Sequence, residues 1–143
     1  MKKQVQSMLL LIGASLFILI GCKKEQIKYT YTTFTRTTTQ TIKPGVVIGY
    51  FTSSGDPTTA GTWIMYVTPV GSDSLHCSQT LDVPSEGTIT VLTFCSLANN
   101  TGAWRVLKGT GAYSNLHGNG SLVMSFPKSG PSIEIWNGKT WRQ

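Results

Sequence analysis

The residues that could carry out acid–base chemistry are few, and one carboxylate differs from the rest in its setting. Four acids fall in or beside predicted loops, where a solvated carboxylate is the ordinary case: Asp56, Asp73, Asp82 and Glu86. Glu134 instead lies between Ile133 and Ile135 in a predicted strand. If the isoleucines face the interior, Glu134 faces solvent, as alternation in half-buried strands favours. If they face outward, Glu134 is a lone interior acid, a candidate general base with a raised pKa and a candidate ligand contact.

Two further titratable side chains belong to a glycine-rich segment. We expect Tyr113 to pack across a turn with its hydroxyl on the backbone. We expect His117 to face solvent or satisfy the turn, because no acid lies near it in the sequence to support a role as general base. The sequence contains no Gly-x-Ser-x-Gly elbow, phosphate-binding loop or His-Glu-x-x-His zinc motif. Catalytic residues are therefore unassigned, and we predict no metal and no cofactor.

The N-terminus has the pattern of a secretory signal. A short basic segment precedes an uncharged, mostly apolar run from Met8 to Ile20, which is too short to span a membrane. The run ends in Leu19-Ile20-Gly21-Cys22, which resembles a bacterial lipobox. The resemblance implies cleavage before Cys22 and attachment of palmitate-type acyl chains to that cysteine. An ordinary secretory signal with a chance cysteine is the alternative.

This pattern divides the chain into three parts. We predict a lipoprotein signal peptide over residues 1–21, a tether over 22–28 and one folded domain over 29–143. The anchor makes the membrane the first expected partner and the cell envelope the expected location. Lys23 stands where an inner-membrane retention signal usually carries Asp, which favours the outer membrane if the host is Gram-negative.

The charge of the chain does not indicate nucleic-acid binding. The sequence has 12 basic and 6 acidic side chains, a net charge of +6. Three lysines lie next to the anchor, where they can meet anionic lipid headgroups: Lys23, Lys24 and Lys28. The other charges are scattered, without the basic cluster interleaved with aromatics that a nucleic-acid footprint needs. The sequence does not indicate the oligomeric state.

Two cysteines follow Cys22, and an even pair in an exported protein predicts a disulfide. They lie on two predicted strands joined by residues 83–87. If this hairpin is centred on Glu86, Cys77 faces Cys95 at a Cβ separation that a disulfide can reach with a small adjustment. Catalytic or metal-binding cysteines are the alternative, although no Cys-x-x-Cys occurs and His76 is the only nearby ligand type.

Short strands separated by turn residues run through the whole domain. Runs such as Val46–Phe51 and Thr62–Val67 alternate with turn signals about every 8–12 residues, and no long amphipathic helical period occurs. Asn137-Gly138 is the strongest hairpin signal in the chain. Eight or nine such strands predict an all-β fold, a closed or nearly closed antiparallel up-and-down barrel of about eight strands, because closure removes exposed edges.

The glycine-rich segment carries a family resemblance. The stretches Gly102-Ala103-Trp104-Arg105-Val106, Gly109-Thr110-Gly111-Ala112-Tyr113 and Leu116-His117-Gly118-Asn119-Gly120-Ser121-Leu122 resemble the hallmark of the allene oxide cyclase and dirigent barrel superfamily. The similarity is greatest to bacterial lipoproteins with an allene oxide cyclase barrel-like domain. It implies an eight-stranded, calycin-like barrel in which five residues are structural: Gly109, Gly111, Tyr113, Gly118 and Gly120. The pocket residues of the superfamily do not map onto this segment.

Tryptophan positions supply the remaining candidates for a ligand site. Trp63 and Trp104 each follow a small residue at a predicted strand start, and we expect their indoles to close the core at the barrel ends. Contact with a ligand is the alternative. The predicted function is a lipid-anchored module that binds a small apolar ligand or a surface partner. A cyclase or isomerase-type enzyme acting in the lumen and a structural surface lipoprotein with a filled barrel are the alternatives.

Overall fold

The computed structural model describes residues 26–143 of the chain. The predicted signal peptide, the predicted lipidation site Cys22 and the first part of the predicted tether lie outside these residues. No helix within residues 26–143 is long and apolar enough to cross a bilayer.

Eight strands make up the described chain, and each is antiparallel to the next. They are β1 (Thr30–Lys43), β2 (Val46–Ser54), β3 (Thr59–Val70), β4 (Ser74–Val83), β5 (Gly87–Ser96), β6 (Thr101–Gly109), β7 (Leu116–Ser125) and β8 (Ile133–Arg142). Pairing of β8 with β1 closes the barrel, and a 3-10 helix at Gly111–Tyr113 connects β6 to β7. The predicted all-β, eight-stranded up-and-down barrel is confirmed.

The Thr-rich strand β1 shows how alternation sets the two faces of the wall. Thr32, Phe34 and Arg36 point into the lumen and are buried, whereas Tyr31 points outward. The β-branched threonines between them favour the extended backbone. A strand with few apolar residues can therefore still place a large aromatic ring and a cation in the interior.

The predicted hairpin at Asn137-Gly138 is wrong, because both residues lie in the middle of β8. A Cβ at Gly138 would overlap the carbonyl oxygen of Asn119 on β7 and crowd the indole of Trp104. The glycine is required by this close approach inside the barrel. The tertiary requirement outweighs the local preference of the dipeptide for a turn.

The predicted register of the β4–β5 hairpin is wrong by two residues. The turn is centred on Ser85, which has a φ of 66°, and not on Glu86. Cys77 consequently faces Thr93 and not Cys95. A shift of two keeps both cysteines on the lumenal face, where they lie diagonally as buried free thiols, so the predicted disulfide is absent from the structure.

The end of the barrel at which β1 begins is covered by the 3-10 helix, and we call it the closed end. The 3-10 helix places Tyr113 in the core, and its hydroxyl donates to the Glu86 carboxylate, so the predicted bond to the backbone is wrong. Burial and this carboxylate raise the pKa of Tyr113. The Arg142 guanidinium donates to both carboxylate oxygens of Asp56 at 3.2 and 3.0 Å. This pair joins the loop between β2 and β3 to β8.

The opposite end, which we call the open end, is less tightly packed. At the closed end a lumenal side chain such as Leu116 is only 2% exposed. At the open end Val47, Met65 and Leu75 pack against the core but remain only half-buried. The core is therefore less completely covered at the open end.

Two glycines with similar backbones test the role of the glycine-rich motif. Gly111 and Gly71 have φ values of 58° and 69°, but only at Gly111 would a Cβ overlap a carbonyl oxygen, that of Glu86. Gly71→Ala should lower the free energy of unfolding by about 1 kcal/mol through its positive φ alone. Gly111→Ala should lower it by about 2–4 kcal/mol, because the overlap adds to the same strain. Urea unfolding measures both, and equal losses would contradict a structural role for the motif.

Candidate functional site

A buried ion pair joins β1 to β8 on the lumenal face. Arg36 and Glu134 are direct partners in the register, and Arg36 Nη1 donates to Glu134 Oε2 at 2.9 Å. Ile133 and Ile135 are 36% and 42% exposed, whereas the Glu134 side chain is 13% exposed. Glu134 therefore faces the lumen, the less expected of the two placements that the sequence left open. It is not a lone acid, because the Arg36 cation faces it.

Uncharged side chains extend this pair across the lumen. Arg36 Nη1 also donates to Gln79 Oε1, and Gln79 Nε2 donates to Thr93 Oγ1 at 3.0 Å. On the other side, the indole of Trp136 donates to Glu134 Oε2 at 3.0 Å. We call Arg36, Gln79, Thr93 and Glu134 the polar layer. Because its members come from β1, β4, β5 and β8, it bridges opposite walls of the barrel.

The Arg36 guanidinium lies between two indole rings. Its Cζ is 3.8 Å from the ring centroid of Trp63 and 4.8 Å from that of Trp136, both within the range of cation–π attraction. Burial lowers the pKa of Arg36 to about 10, against the opposing effect of Glu134. The side chain remains cationic at neutral pH, so the interior holds a full charge.

The hydrogen bonds of the polar layer leave part of Arg36 unused. The side chain is 1% exposed, yet Nε and Nη2 have no partner among the described residues. A buried donor without an acceptor costs about 1–3 kcal/mol, and more when the group is charged. Nε and Nη2 are therefore hydrogen-bond donors that could still donate to an acceptor oxygen.

Aromatic side chains fill the middle of the barrel next to the polar layer. Phe34 lies 5.7 Å from Trp104 and 6.0 Å from Trp136 between ring centroids, and the two indoles stack at 6.0 Å. Trp63 and Trp104, for which ligand contact was the alternative to a core position, are each 2% exposed. Both are core residues of the lumen.

The two thiols lie beside the polar layer on β4 and β5. A hydrogen bond from Cys95 lowers the pKa of Cys77, with a smaller contribution from the Arg36 charge. The same pair and burial raise the pKa of Cys95. Among residues 26–143, no three side chains of the metal-ligating types come together.

A second concave region lies on the outside of the barrel. A groove of about 340 Å³ crosses the outer face of β2, β3 and β4, and its apolar surface comes from Ile48, Tyr50 and Ile64. Asp82 lies at its edge. The groove is large enough for a small molecule, but it contains no buried charge that would orient one.

Sequence reasoning missed Arg36, the centre of the site. Its neighbours in β1 are threonines, so the strand lacks the contrast between polar and apolar residues that marks an interior position. The only available signal was the two-residue spacing of Thr32, Phe34 and Arg36.

The other predicted motif residues are Gly109 at the end of β6 and two lumenal glycines of β7, Gly118 and Gly120.

Comparison with known proteins shows the fold and no more. No family model matches the chain, and no curated protein matches it. Among solved structures, the barrel is similar to the pterocarpan synthase dirigent protein GePTS1, with a TM-score of 0.55 and 12% sequence identity over 85% of this chain and 92% of that one. The chain therefore has a dirigent-like barrel.

Removing the carboxylate of the polar layer tests whether the ion pair stabilises the barrel. Glu134→Gln leaves the Arg36 cation buried without its counter-charge, and it should lower the free energy of unfolding by about 3–5 kcal/mol. Asp56→Asn makes the same chemical change in the Asp56–Arg142 pair, where both side chains are 37% exposed. Asp56→Asn should lower the free energy of unfolding by less than about 1 kcal/mol, and urea unfolding measures both variants.

A double variant separates lost pairing from lost packing. Arg36→Met with Glu134→Gln removes both charges, so it should be more stable than Glu134→Gln alone. A double variant as unstable as the sum of the two single variants would show that the charges do not compensate each other.

Proposed function

We propose that this protein is a lipid-anchored module of the cell envelope whose barrel binds a small, mostly apolar molecule at the open end. The dirigent-like fold, the lipobox at residues 19–22 and the resemblance to bacterial lipoproteins with an allene oxide cyclase barrel-like domain support this function. Anchoring at Cys22 would hold the barrel on a membrane, and the outer membrane is the proposed location in a Gram-negative host.

The observation that carries ligand binding is the unpaired edge of Arg36 behind an apolar rim. Val47, Met65 and Leu75 offer partly exposed apolar surface, and the polar layer holds two donor nitrogens, Arg36 Nε and Nη2, without acceptors among residues 26–143. Glu134 already neutralises Arg36, so a carboxylate would bring an excess negative charge into the lumen. A neutral acceptor, such as a carbonyl oxygen on an apolar skeleton, matches the site better.

A cyclase or isomerase-type enzyme is the second candidate, and the lumenal position of Glu134 favours it. A carboxylate beside bound substrate can move a proton. Both donors of Glu134, from Arg36 and Trp136, reach the same oxygen, Oε2. This enzyme would share the ligand site, so turnover of the bound molecule distinguishes it from a binding module.

Two consecutive residues of β3 provide a matched test of where the ligand binds. Met65 faces the lumen at the open end, whereas Ile64 lines the outer groove. We expect native mass spectrometry of the full lipoprotein, purified from its host, to show a co-purified small molecule. Met65→Ser should reduce its occupancy, and Ile64→Ser should leave it unchanged.

Two outcomes would contradict ligand binding in the lumen. Loss of the molecule in Ile64→Ser alone would place the ligand in the outer groove. No bound molecule in the wild-type protein would favour the structural lipoprotein with a filled barrel.

The anchor has its own test. Cells fed a labelled fatty acid should incorporate the label into the wild-type protein and not into Cys22→Ala, because the acyl chains attach to that residue. Cys95→Ala, which removes a different thiol, should keep the label. Label that survives in Cys22→Ala would contradict the proposed anchor.

A further inference from the structure

We propose that the outer face at the closed end rests on the surface of the bilayer to which the protein is anchored. The face is formed by a cluster that we call the aromatic–basic patch: Lys28, Tyr29, Tyr31, Lys139 and Trp141. This inference rests on the proposed anchor at Cys22, and it adds which side of the barrel meets the lipid.

Tyr29, Tyr31, Lys139 and Trp141 contact one another across β1, β8 and the residue just before β1, and the exposed Lys28 precedes them in the chain. The rings of Tyr29 and Trp141 meet edge to face at 5.4 Å. Lys139 Nζ lies 5.3 Å from the ring centroid of Tyr31 and 6.0 Å from that of Tyr29. His117 stacks on Trp141 from β7 at 5.8 Å. The patch is therefore one ordered surface.

Its aromatic rings are turned to the outside. Tyr31 is 78% exposed and Tyr29 is 54% exposed, while Lys28 and Lys139 are exposed beside them. Tyrosine and tryptophan have an apolar body and a polar tip, and they are enriched at membrane–water interfaces for that reason. Exposed lysines next to such rings can pair with lipid phosphates while their stems lie along the apolar surface.

The charge of this side of the barrel suits an anionic surface. Of the described carboxylates, Glu134 faces the lumen, Asp56 at the closed end is paired with Arg142, and the other three belong to turns or to β4. Within residues 26–143, the outward positions of β7, β8 and β1 carry Lys139 and no acid. Anionic headgroups would therefore be attracted to this face.

The length of the tether limits how far the patch can be from the anchor. Tyr29 is seven residues after Cys22, and seven fully extended residues span at most roughly 25 Å. The closed end, where β1 begins, is thus the end held near the lipid. The open end lies at the other end of the barrel and would face away from the bilayer, so a ligand would enter from the aqueous side.

Trp141 is a natural reporter of this contact. The other three tryptophans, Trp63, Trp104 and Trp136, are no more than 2% exposed and point into the lumen. The test uses the full lipoprotein in vesicles of phosphatidylethanolamine and phosphatidylglycerol, with brominated acyl chains as a short-range quencher. We expect quenching of tryptophan fluorescence in the wild-type protein and its complete loss in Trp141→Phe.

A pair of double variants tests the patch itself. Tyr29→Ser with Tyr31→Ser should lose the quenching of Trp141, because the rings that seat the barrel on the lipid are gone. Tyr50→Ser with Tyr66→Ser removes two other exposed tyrosines from β2 and β3, at 62% and 53% exposure, and should keep the quenching.

The outcomes separate this inference from the anchor. Intact mass of the purified protein reports whether the acyl chains are attached. An acylated protein whose Trp141 is not quenched, or quenching equal in the two double variants, would overturn the patch and leave the anchor standing. A protein without acyl chains would overturn the anchor, and the patch with it.

Discussion

The buried charge of Arg36 is the constraint on which the interior of this barrel depends. A guanidinium loses its hydration in the lumen, and that loss must be offset by a counter-charge, hydrogen bonds and ring faces. Glu134 provides the counter-charge, and Gln79 accepts a hydrogen bond from the guanidinium. The indoles of Trp63 and Trp136 cover its planar faces. The Nε and Nη2 donors of Arg36 remain without partners among residues 26–143.

The two ends of the barrel differ in how completely they are covered. The middle is filled by the polar layer, in which Arg36, Gln79 and Thr93 are each no more than 1% exposed, and by the aromatic cluster of Phe34, Trp104 and Trp136. At the open end, Val47, Met65 and Leu75 remain only half-buried. The closed end, by contrast, is sealed by the 3-10 helix and the Asp56–Arg142 pair. A barrel that is filled in the middle and closed at one end can admit a ligand only from the other.

The sequence predicted the fold because its signals are local, and it failed where distant residues decide. Two-residue alternation and frequent turn residues suffice for a barrel of about eight strands. The side to which Glu134 points depends on Arg36, which lies 98 residues away in the chain. The Asn137-Gly138 pair locally favours a turn, and only the packing of the Trp104 indole against Gly138 explains why it lies in a strand. The hairpin register changes by two residues with the position of one turn residue, Ser85.

The NMR signal of the Arg36 Nε–H group, compared between the ligand-free and the ligand-loaded protein, tests whether this donor meets a ligand in the lumen. We expect this proton to exchange slowly with solvent, because the side chain is buried, and its resonance to shift when the co-purified molecule is bound. The exposed Arg105 serves as the internal reference. Exchange of the Arg36 proton as fast as that of Arg105, or a resonance that does not change between the two forms, would contradict this role of Arg36.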